Sequence, residues 1–68
     1  MATLKQKFAA NLKAMRLQKK LSQEALAAKA GISVSYQSML EREQRSPPLD
    51  TLEALGKALG CGPLALLA

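Results

Sequence analysis

The residues that could do chemistry are defined first by what is missing. The sequence has no histidine, a single cysteine (Cys61), no carboxylate pair in a recognisable site and no phosphate-cradling glycine loop. What remains is hydrogen bonding and charge, which exclude an enzyme by any common mechanism and imply no cofactor and no metal. Ten Lys and Arg stand against five Asp and Glu, a net charge of +5. The excess is local, because Lys5, Lys7, Lys13, Arg16, Lys19 and Lys20 fall within residues 1–23 with no acid among them. Such a field suits a polyanion, since neutralising its charges supplies affinity independent of detailed shape. A solvated lysine face is the plain alternative, and a charge run alone does not separate the two. Gln23 adds a second kind of contact. At an exposed helix start, its amide and the free backbone N–H groups can both meet a phosphate oxygen.

The elements that position these residues are helical. From Ser22 to Glu41 two short helical patterns meet at Gly31. The first is capped by Ser22 and carries Leu26, Ala27 and Ala30 on one inward stripe, small enough for close approach of another helix. Gly31 supplies the left-handed turn, Ile32 plugs it, and Ser33 caps a second helix from Val34 to about Arg42, in which Leu40 is the one clear core residue. Before this pair, Thr3 and Gln6 form a capping-box pattern opening a helix with Leu4, Phe8, Leu12 and Met15 as its buried stripe and an end near Gln18 or Lys19. After it, a polar loop from Glu43 to Pro48 leads to a fourth helix with a Leu49, Leu52, Leu55, Leu59 stripe, closed by Gly60. Gly62 and Pro63 then start a final turn or short helix, Leu64 to Ala68.

Two helices joined by so short a turn make a helix-turn-helix, in which the second helix enters the major groove of DNA and the first lies across the backbone. The order Gln23, Leu26, Ala27, Ala30, Gly31, Ile32, Ser33, Leu40, Glu41 resembles the Cro and phage-repressor type of helix-turn-helix, the XRE family. Phe8, Leu12, Met15 and Arg16 look like that family's first helix, and Ser46 to Gly60 like its fourth. The resemblance implies an all-α, compact, five-helix lambda-repressor-like DNA-binding domain over residues 1–68, with the helix-turn-helix formed by helices 2 and 3.

By the same resemblance, Gln23 contacts a phosphate, and Ser33, Val34, Ser35, Ser38 and Met39 form the base-reading surface. Serines can meet several base edges, and Val34 and Met39 can pack on thymine methyl groups. Lys19, Lys20, Arg42 and Arg45 flank that surface as backbone contacts. Tyr36 either donates its hydroxyl to a phosphate or packs on a neighbouring helix. Gln37 departs from the family, where an aliphatic residue usually packs at this place. Either helix 3 is rotated so that Gln37 reads DNA and Met39 is partly buried, or Gln37 is buried with its amide satisfied by neighbours, the register that Ser33, Leu40 and Glu41 favour. Arg16 and Glu41 match a partly buried ion pair that orients the recognition helix; two unrelated surface charges are the alternative. At Lys20, where relatives often have Gly, a left-handed backbone would be strained. Glu43 replaces a Gly that commonly follows this helix in relatives, and its acid faces the region where phosphate would run, which allows a different loop path and weakens the case for Arg42 and Arg45.

The function this implies is a sequence-specific transcriptional regulator, a repressor-type or autoregulatory switch binding a pseudo-palindromic operator on double-stranded DNA as a homodimer. Leu64, Leu66 and Leu67 are the dimer candidates, unless all three close the bottom of the core. An antitoxin-like interaction module using the same leucine-rich end is the alternative. No apolar run approaches the roughly 20 residues that span a bilayer, and no secretory signal opens the chain. A soluble cytoplasmic protein is therefore expected, with no membrane partner and no small-molecule ligand evident. Sixty-eight residues sit near the lower limit for a core without disulfides or metal.

Overall fold

A computed structural model describes residues 2–68, and these are helical throughout their ordered elements: α1 (Leu4–Gln18), α2 (Gln23–Ala30), α3 (Val34–Glu41), α4 (Leu49–Leu59) and a final 3-10 turn (Leu64–Leu67). The expected count of five helices is thus corrected to four α-helices. The last segment is too short for an i→i−4 ladder, and the Leu66 amide donates instead to the Pro63 carbonyl at 3.2 Å.

The starts of the first three helices are fixed by side chains. Thr3 Oγ1 accepts from the Gln6 amide at 3.2 Å while Gln6 Oε1 accepts from the Thr3 amide at 2.9 Å. Ser22 Oγ accepts from the Ala25 amide and Ser33 Oγ from the Tyr36 amide, at 3.0 and 3.1 Å. The ends share one device. Each α-helix is followed by a left-handed residue, Lys20, Gly31, Glu43 and Gly60 in turn, and the next amide reaches back five residues to a helix carbonyl. Two of the four turns therefore carry a side chain in a conformation that glycine adopts without cost.

Phe8 and Leu12 from α1, Leu26 from α2, Leu40 from α3, Leu52, Leu55 and Leu59 from α4, and Leu66 from the final turn make one core cluster. Two leucines of the expected stripes face solvent. Leu4 is 65% exposed and Leu49 is 79% exposed, each at the first residue of its helix. Leu66 corrects another expectation: it is fully buried and unavailable to a subunit contact, whereas Leu64 is 79% exposed and Leu67 half-buried. Asn11 holds this turn down, its Nδ2 donating to the Leu66 and Ala68 carbonyls at 3.1 and 3.0 Å. The return from α4 is tight: a Cβ on Gly56 would sit 2.6 Å from the Gly62 carbonyl carbon, so only glycine admits the contact.

Candidate nucleic-acid interface

α2 and α3 are joined by the three residues 31–33. On α3, Gln37 and Leu40 are buried and Tyr36 is half-buried against the core. The opposite face carries Val34 and Ser35, exposed, then Ser38 and Met39, half-buried, with exposed Ser33 at its start and exposed Arg42 at its end. Tyr36 packs against the core, and Met39 stays outside the core cluster.

What holds this face outward is a polar cluster around Glu41. Arg16 Nε donates to Glu41 Oε2 at 2.7 Å and Arg16 Nη2 to Oε1 at 3.1 Å, a bidentate pair with both side chains almost wholly buried. Arg16 Nη1 donates to the Leu21 carbonyl at 2.8 Å, anchoring the α1–α2 turn to the same group. Gln37 Nε2 donates to Glu41 Oε2 at 2.8 Å and Gln23 Nε2 to Oε1 at 3.2 Å. One carboxylate therefore gathers donors from α1, α2 and α3. Burial pushes the Glu41 carboxyl up, but the hydrogen bonds from Arg16, Gln37 and Gln23 outweigh it and hold the group below its ordinary value.

Gln37 as a base reader is corrected by this geometry. Its side chain is fully buried and its amide points at Glu41, while its Oε1 has no hydrogen-bond partner among the described residues. The i, i+4 spacing of Gln37 and Glu41 is the sequence signal that could have identified the pairing. Gln23 is half-buried and directs one amide hydrogen to Glu41, which fixes its orientation at the start of α2. Lys19, Lys20, Arg42 and Arg45 are all exposed, the first two in the α1–α2 turn and the last two after α3, with exposed Glu43 between them. The left-handed backbone is present at Lys20 (φ 57°), and Glu43 adopts the same region (φ 64°).

A family model described as helix-turn-helix matches residues 12–66. The chain belongs to the Cro and phage-repressor type of helix-turn-helix family. It is thereby a DNA-binding regulatory domain and not an enzyme. The domain is 49% identical over 49 residues to the immunity repressor protein of Bacillus phage phi105, covering 72% of this chain but only 34% of that repressor. Among solved structures, it is similar to a hypothetical transcription factor, NHTF, from Neisseria, with a TM-score of 0.93 and 33% identity over 97% of this chain and 76% of the other. It is also similar to the restriction-modification controller protein C.AhdI from Aeromonas hydrophila, with a TM-score of 0.88 and 39% identity over 91% and 94% of the two chains. No helix among the described residues is long and apolar enough to cross a membrane.

Proposed function

We propose that this domain acts as a repressor-type or autoregulatory switch, binding a pseudo-palindromic operator as a homodimer. α2 and α3 serve as the helix-turn-helix, with α3 of each protomer in the major groove. Gln23 and the α2 N-terminus meet a phosphate, Lys19, Lys20, Arg42 and Arg45 meet neighbouring ones, and Ser33, Val34, Ser35, Ser38 and Met39 face the bases. Its place of action is then the cytoplasm. The observation that carries the reading is the Glu41 cluster: donors from three helices converge on one carboxylate, which fixes α3 and leaves one of its faces free of core duty.

The second copy is accommodated by the face around Leu49. Exposed Leu49 stands between two apolar grooves, one lined by Leu4, Phe8, Pro47 and Leu67, the other by Pro63, Leu64 and Leu67. A ridge beside a groove is the shape a two-fold contact requires, because each surface must fit itself. The rims also complement: Lys5 borders the first groove, and Asp50 and Glu53 border the second. Leu64 and Leu67 remain candidates for this contact, joined by Leu4 and Leu49.

Selection from randomised duplexes tests the proposal. A symmetric motif is expected, with half-site centres about one helical turn apart, roughly 34 Å. No preferred site would overturn sequence-specific binding. Sedimentation showing a monomer at high concentration even with DNA would overturn the homodimer and turn attention to the antitoxin-like use of the Leu49 face, covering a different protein.

A further inference from the structure

Two aliphatic side chains on α3 have no task inside the domain. Val34 is 43% exposed and Met39 half-buried, and neither joins the apolar cluster that takes in Leu40 and Tyr36 from the same helix. A β-branched residue is a poor choice for an exposed helix position on conformational grounds alone. The two are five residues apart, about 7.5 Å along the axis, which is roughly two base-pair steps. Ser35 and Ser38 lie between them, and before Arg42 this face holds no side chain able to make two hydrogen bonds to one base. The amide that had that capacity, Gln37, is buried against Glu41.

The floor of the major groove offers donors, acceptors and one apolar feature, the 5-methyl group of thymine. We infer that Val34 and Met39 are the specificity-determining residues of the domain and that they read pyrimidine 5-methyl groups. The inference rests on the duplex-binding reading above and deepens it. Basic side chains supply affinity for any sequence, and the two aliphatic side chains decide among sequences by burying methyl groups. 5-Methylcytosine carries its methyl at the same place, so the contact treats it as thymine.

The test uses the full chain and the operator recovered by selection, resynthesised with deoxyuridine replacing one thymine at a time. Loss of a contacted methyl weakens binding about fourfold, the worth of one buried methyl at ~0.8 kcal/mol. Replacing a cytosine by 5-methylcytosine at a contacted step strengthens binding by a similar factor. Val34→Ala abolishes the thymine–deoxyuridine difference at one position and Met39→Ala at another about two steps away. Val34→Ala leaves the thermal midpoint near that of the native chain, because Val34 is exposed and lies outside the core cluster. An operator indifferent to deoxyuridine throughout both half-sites overturns the inference. So does discrimination that survives in the double variant. Both results leave sequence-specific binding standing, whereas failure to select any site overturns that reading as well.

Discussion

Glu41 is where the placement of α3 is decided, and its energetics follow from being buried and fully engaged. Removing it strands the Arg16 guanidinium at 8% exposure, so Glu41→Ala should lower the unfolding free energy by about 3 kcal/mol in chemical denaturation. The pH dependence has a definite sign. The folded-state carboxyl lies below its ordinary value of 4.5, so its contribution is complete above that value and is lost as the pH falls through the folded one. Thermal midpoints of the native chain should accordingly fall as the pH drops below 4.5, and those of Glu41→Gln should fall less steeply there. Gln37 balances two opposing effects. Leucine there removes a donor to a charged group but also removes an unpartnered buried oxygen, each worth about 1–3 kcal/mol. Gln37→Leu should therefore change stability by less than about 1 kcal/mol, whereas Gln37→Ala adds a cavity and should cost about 2 kcal/mol or more. A Gln37→Leu variant as unstable as Gln37→Ala would show that the hydrogen bond to Glu41 dominates the balance.

Among the elements, the four helix ends use one turn geometry with unequal residues, and that inequality is testable. Lys20 and Glu43 each hold a left-handed conformation that costs an L-residue roughly 1–2 kcal/mol. Lys20→Gly and Glu43→Gly should each raise stability, by about 1 kcal/mol once the greater freedom of glycine in the unfolded chain is deducted. Glu43→Gly should also tighten duplex binding at low salt, since it withdraws an acid from between Arg42 and Arg45. Lys20→Gly should loosen it. These ends and the caps were legible in the sequence because they are local: Thr3 with Gln6, Ser22, Ser33 and Gly31 specify their geometry within a few residues. Periodicity likewise found Phe8, Leu12, Leu26, Leu40 and Leu55. It did not reveal that Leu4 and Leu49 face solvent while Leu66 is enclosed, because periodicity says which residues share a face and not how far the opposite element extends. The same limit left Gln37 and Met39 open until the register of α3 was fixed by distant partners, Arg16 on α1 and Gln23 on α2. On α3, Val34, Ser35, Ser38 and Met39 were legible as an outward face and Arg16 with Glu41 as the pair that orients it, but the Gln23 and Gln37 amides that join the same carboxylate were not.

For the molecule as a whole, the basic excess and the two most exposed leucines fall on different elements. The basic excess lies in α1 and the turn after it, with Arg42 and Arg45 following α3, while Leu49 and Leu64 belong to the start of α4 and the final turn. A molecule built this way can engage a polyanion and a second copy at once, and salt dependence can count the copies. Each phosphate contact contributes about 0.9 to the slope of log affinity against log salt. If Arg45 touches one phosphate per protomer, Arg45→Ala reduces the slope on a two-half-site duplex by about 1.8 for a dimer and about 0.9 for a monomer. The thymine preference stays the same in either case. Leu49→Glu, which places a charge on the proposed self-contact at a position outside the core cluster, should convert the larger decrement into the smaller and yield a monomer by sedimentation. A decrement of 1.8 that persists in Leu49→Glu would place the self-contact elsewhere on the surface, and no decrement at all would remove Arg45 from the phosphate-contacting set.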